Sequence, residues 1–82
     1  MIIDNEASAV STVVEVRAPD RGPVLYRVAR ALADSGVTIT CALVSTLGAE
    51  AVDVFYVHNV AGGRVMDPAH QATLQEAVLA AL

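Results

Sequence analysis

The chain has 82 residues, 55% of them hydrophobic, with two Tyr, one Phe and no Trp. That length builds one small domain over residues 1–82, and a core drawn mainly from Ala and Val is thin enough to favour self-association or attachment to a larger protein. Five basic residues against nine acidic ones leave a net charge of −4, which argues against nucleic acid as a partner, since phosphate binding needs clustered Lys and Arg.

In chain order, "MIID" is a short strand candidate and "NEAS" a polar turn. "STVVEVRA" alternates, with Thr12, Val14, Val16 and Ala18 on one face and Val13, Glu15 and Arg17 on the other, a strand with one buried face and one partly wet. Pro19 stops it. From Pro23 to Ser35 the apolar residues Val24, Leu25, Val28, Ala29 and Leu32 form one helical stripe, with Pro23 suited to the first turn and Gly36 to the position just past the end. Residues 37–47, "VTITCALVSTL", are rich in β-branched side chains and read as a strand. Ile39 and Val44 differ in parity there, so both face the core only across a bulge. "LGAE" is a glycine turn. "AVDVFYVHN" is a strand apolar on both faces, with Val52, Val54 and Tyr56 on one and Phe55 and Val57 on the other, which predicts a central strand covered on both sides. "VAGGR" is a turn, and "DPAHQATLQEAVLAAL" a helix with Asp67 as N-cap, Pro68 at N1 and an inward stripe of Leu74, Val78 and Leu82.

The order β, β, α, β, β, α points to an α+β, ferredoxin-like sandwich: a four-stranded antiparallel sheet with two helices on one face. The usual last strand is missing after the second helix. "MIID" is expected to fill that edge beside residues 11–18, a permuted form of the same sheet. Val13, Val52, Val54 and Tyr56 then lie on the face away from the helices, a patch suited to a second copy.

The chemistry is sparse. Cys41, the single cysteine, excludes an internal disulfide, fits a reducing compartment and reads as a buried small hydrophobe. Residues 1–10 show no basic n-region or long apolar h-region, and no run approaches the ~20 apolar residues of a membrane span, so a cytoplasmic protein away from membranes is expected. His58 and His70 lack acid or cysteine partners at ligand spacing, which predicts no metal site. Ser11 and Ser45 lack a neighbouring base, and the acids read as solvated, so no catalytic residue and no cofactor is expected. Gly62-Gly63 is too short for a phosphate loop. The suggestive stretch is "DRGPVLYRVARAL", residues 20–32. There Asp20 caps the helix, or else the exposed N–H groups of the helix start receive an anion.

"TVVEVRAPDR", "VLYRVARALADSGVTITCALVSTLGAEAVDVFYV" and the preceding "IDNEAS" together resemble an ACT domain, a small regulatory module of amino-acid metabolism. The resemblance is nearest to the ACT domains at the C-termini of bacterial PII-protein uridylyltransferase/uridylyl-removing enzymes and covers nearly the whole chain. It implies pairing of two modules, as a homodimer or with another ACT domain. It also implies an amino acid, glutamine in those enzymes, bound at the loop after the first long strand. Carried over, the site residues are Asp20, Arg21, Gly22, Pro23 and Val24, faced by Val37, Thr38, Ile39 and Thr40 of the partner's strand. The module itself would be regulatory and not an enzyme. A module that pairs and binds no ligand is the alternative. An acylphosphatase-like enzyme on this fold is a third, disfavoured reading: Arg21 is in roughly the right loop, but no asparagine stands in a suitable strand position and the cradle glycines are missing. The family's Asp-Arg-Pro-Gly stands here as Asp-Arg-Gly-Pro. With Asp20 as N-cap, Pro23 falls at N3 and removes an N–H donor, so weak binding of free amino acids is expected, relieved by exchanging residues 22 and 23.

Overall fold

Alternation and turn chemistry account for most of the architecture. A computed structural model describes residues 1–8, 10–19 and 23–82. Its elements are β1 (Ile2–Asp4), β2 (Thr12–Pro19), α1 (Val24–Asp34), β3 (Val37–Leu47), β4 (Glu50–Asn59) and α2 (Pro68–Ala81). Among the described residues the strands form one sheet in the order β1-β2-β4-β3, every neighbouring pair antiparallel. β1 lies on the outer edge of β2, with Ile2 opposite Glu15 and Asp4 opposite Val13, so "MIID" does take the edge beside residues 11–18.

The core occupies one face of the sheet. Val14, Val16 and Ala18 of β2 meet Phe55 and Val57 of β4, and Val24, Val28, Leu32, Leu74 and Val78 of the helices close over them. The register sets Val14 opposite Phe55 and Thr12 opposite Val57, so all five strand residues lie on one face of the sheet and both helices sit on that side. Leu25, expected in the α1 stripe, is 38% exposed, and Leu82 lies past the end of α2 and is exposed, so neither belongs to the core. Each is at the margin of its stripe, where the curved sheet surface no longer reaches.

The connections obey local rules. Ser35 is the C-cap of α1, and Gly36 follows at φ +85°, a left-handed position that costs a residue without Cβ nothing. Gly48, at φ +62°, opens the two-residue turn between Leu47 and Glu50, which fits a type II′ hairpin. The register shift between Ile39 and Cys41 is the bulge that parity demands. It lets Ile39 pack against the core while Val44 still points to the helix side, opposite Asp53.

A polar clasp ties β1 to the opposite end of the chain. Asn5 donates its side-chain amide to the Val65 carbonyl at 2.9 Å and accepts from the Thr12 hydroxyl through its side-chain oxygen. The Val65 N–H donates to Thr12 Oγ1 at 2.7 Å, Arg64 Nη1 to the Asn5 carbonyl at 2.8 Å, and Gln71 Nε2 to the Val65 carbonyl at 2.8 Å. Thr12 is fully buried, so its hydroxyl needs both partners.

Two predictions follow from burial. Leu32→Ala should cost about 2–5 kcal/mol in denaturant unfolding, while Leu25→Ala on the same helix should cost about 0.5 kcal/mol. Thr12→Val keeps the shape but strands the Val65 N–H and the Asn5 oxygen, so it should cost roughly 1–3 kcal/mol in the same assay.

Candidate functional site

The two helices begin differently. At α2, Asp67 is the N-cap and accepts from the Ala69 N–H at 3.0 Å, with Pro68 next, as its sequence predicts. At α1 the N-cap is Pro23, which has no side chain able to cap, and the first turn carries no acid. The first helical bond runs from the Arg27 N–H to the Pro23 carbonyl at 3.0 Å. The N–H groups of Val24, Leu25 and Tyr26 therefore receive neither a helical carbonyl nor a cap from their own helix.

That start corrects the reading that put Asp20 at the N-cap and Pro23 at N3. With Pro23 at the N-cap, its missing N–H is not among the first-turn donors, so the donor argument for weak binding loses its basis. Asp20, Arg21 and Gly22 lie outside the described residues. Val24 turns its side chain into the core at 7% exposure and can offer a ligand only its backbone.

Of the residues expected to face this loop, Val37 is buried, Ile39 is half-buried, and Thr38 and Thr40 are exposed. Thr40 Oγ1 donates to the Tyr56 carbonyl at 3.1 Å, beside the bulge. The sheet does not bring these residues to Pro23 within one chain. Val37 pairs with Asn59 at one end of the sheet, whereas Pro19, Leu47 and Glu50 gather at the other, where α1 starts. At the ~3.3 Å rise of a strand the two ends of β3 are about 30 Å apart.

Four further placements depart from the sequence reading. Cys41 is exposed, not buried, because β3 is an edge strand and Cys41 points to the face without helices. The second face of β4 has no covering layer among the described residues, although Val52 and Val13 are shielded to 8% and 9% by their neighbours on the sheet. Asp53, read as solvated, is buried at 2% on the core face between Val16 and Val44, and it is engaged rather than free. The available signal was parity: Asp53 alternates in phase with Phe55 and Val57, and a carboxylate in that phase is inside the fold. Lastly, Ser11 does have a base beside it. Its hydroxyl lies 2.9 Å from His58 Nε2, a pairing across 47 positions that spacing alone cannot show.

Ser11 is 6% exposed, so this pair lies beneath the surface at the start of β2. His70 is committed as well, its Nε2 donating to the Ser35 carbonyl at 2.8 Å and tying α2 to the end of α1. Among the described residues no group of three or more His, Cys, Asp or Glu could hold a metal, and no helix is long and apolar enough to cross a membrane.

A four-stranded antiparallel sheet in the order β1-β2-β4-β3 with both helices on one face is the frame of a small ferredoxin-like module. A family model described as an ACR9-like, ACT-like domain matches residues 1–82, and the chain belongs to the ACT-like domain family. Its relatives narrow this further. The bifunctional uridylyltransferase/uridylyl-removing enzyme of Rhodospirillum rubrum is 45% identical over 82 residues, covering 100% of this chain and 9% of that protein. The enzymes of the same description from Gluconobacter oxydans and Azospirillum brasilense are each 43% identical over 82 residues, again 100% of this chain and 9% of theirs. The chain thus spans about a tenth of the length of each of these enzymes, and its family supports a regulatory module.

Proposed function

We propose that this chain is an amino-acid-sensing ACT module, glutamine being the foremost ligand, that reports nitrogen status to a uridylyltransferase. The observation that carries the reading is the α1 start: three backbone donors at the positive end of a helix, with no side-chain cap from Pro23 and no acid in the first turn among the described residues. A ligand carboxylate suits that position, and the loop of Asp20, Arg21 and Gly22 would complete its surroundings. The module contributes recognition and no catalytic group.

Pairing supplies what one chain lacks. Residues 41–50 are all exposed, and β3 carries no charge and no proline along its outer edge. Such an edge pairs readily with another strand. Two copies joined antiparallel through β3, about an axis near Ala42, set the partner's Val37–Thr40 beside residues 44–47. This is the end of the sheet where α1 begins. The ligand would then lie between copies, which is the reason to expect a homodimer.

Calorimetric titration with the twenty amino acids tests the ligand. Glutamine should bind saturably, and Pro23→Asp, which puts a negative charge at the helix start, should weaken it roughly tenfold. A folded, paired protein giving no heat with any amino acid would instead establish the module that pairs without a ligand. Sedimentation tests the pairing. The chain should be a dimer at high micromolar concentration, and Val44→Lys should weaken the dimer at least about tenfold by placing a charge beside the edge. Cys41 should react with a thiol reagent in dilute protein and be protected at high concentration; equal reactivity at both would argue against pairing through β3.

A further inference from the structure

β1 is attached differently from the rest of the sheet. It makes three residue pairs with β2, whereas β2 makes eight with β4. None of the fully buried core residues belongs to it. Met1 and Ile3 only pack against the cluster from outside, and Ile2 is 56% exposed. The core of Val14, Phe55, Leu32 and Leu74 is therefore complete without β1.

What holds the strand is concentrated at its C-terminal end. Asn5 is the hub: its side chain bonds to the Val65 carbonyl and the Thr12 hydroxyl, and its main-chain oxygen receives Arg64. Beyond it the chain turns locally, with Asp4 Oδ1, at the end of β1, accepting from the N–H groups of Glu6 and Ala7 and Ser8 Oγ from that of Ser11.

We propose that β1 is a releasable strap, locked by Asn5 and Arg64, that opens from β2 while the remaining sheet and both helices stay folded. Opening frees the outer edge of β2 from Val13 to Glu15, a row of backbone donors and acceptors able to take another strand. It also dismantles the groove of about 220 Å³ on the open face, since Ile2 and Asp4 line it with Val13, Glu15 and Val54. The free energy of such an opening is set by three strand pairs and the clasp, well below that of unfolding the core.

Hydrogen exchange of the 82-residue chain, read residue by residue, tests this. The bonded amides of β1 should exchange at least about tenfold faster than those joining β2 to β4 around Val14–Val16 and Asp53–Phe55. Asn5→Ala and, independently, Arg64→Ala should each speed exchange in β1 on the order of ten- to a hundredfold relative to the β2–β4 amides. Gln71→Ala removes a bond to the same Val65 carbonyl from the α2 side and should leave β1 unchanged relative to the core. Arg64→Ala keeps the test valid if Asn5→Ala fails to fold, because Arg64 leaves no buried group stranded in the Thr12 network. Equal exchange of β1 and the β2–β4 amides in the unaltered chain would overturn the proposal. So would variants that speed all amides alike or leave β1 unaffected.

Discussion

The fold depends on covering one face of β2 and β4 with two helices. That face carries Phe55, the largest fully buried side chain, among Val, Ala and Leu residues that individually bury little area. A small chain has no second core to fall back on, so strand parity, helix stripe and bulge must all direct their apolar atoms to this one layer. The bulge at Ile39 is one consequence. Without it, either Ile39 or Val44 would leave the helix side, and β3 would contribute less to the layer that keeps the protein folded.

The other face and the β3 edge follow from the same arithmetic. Both helices lie on the core side, so among the described residues Val54, Tyr56, Leu43 and Cys41 have no covering element and the outer edge of β3 has no neighbouring strand. Under the proposed pairing through β3 these surfaces would gain area, and the partner's Val37–Thr40 would reach the end of the sheet where α1 begins. Ligand binding and association would then be one equilibrium, with each favouring the other.

The polar groups divide between holding the frame and leaving part of it free. Thr12, Asn5, Arg64 and Gln71 bind the loop before α2 to the start of β2, while His70 ties α2 to the end of α1. The start of α1 receives no such tie from its own side chains.

How much of this was legible in the sequence depended on the range of the signal. Alternation in residues 12–18 and 51–57, the stripe of Val24, Val28 and Leu32, the Asp67-Pro68 cap and Gly36 are local patterns, and they gave the type and order of the elements, while the place of "MIID" on the sheet came from the fold those elements imply. Parity alone required the bulge. Exposure was another matter, because it depends on which neighbours arrive. Cys41 has an apolar sequence context yet lies on an edge, and Asp53 has a charge yet lies in the core. The pairing of Ser11 with His58 joins residues 47 positions apart. The start of α1 at Val24 rather than near Asp20 likewise emerged only with the fold, since Pro, Gly and Asp each suit more than one position at a helix entrance. The sequence determined the periodicities, which short-range sterics and burial enforce. The tertiary structure decided which face and which edge stayed open, because that is set by how many layers the chain has left to cover them.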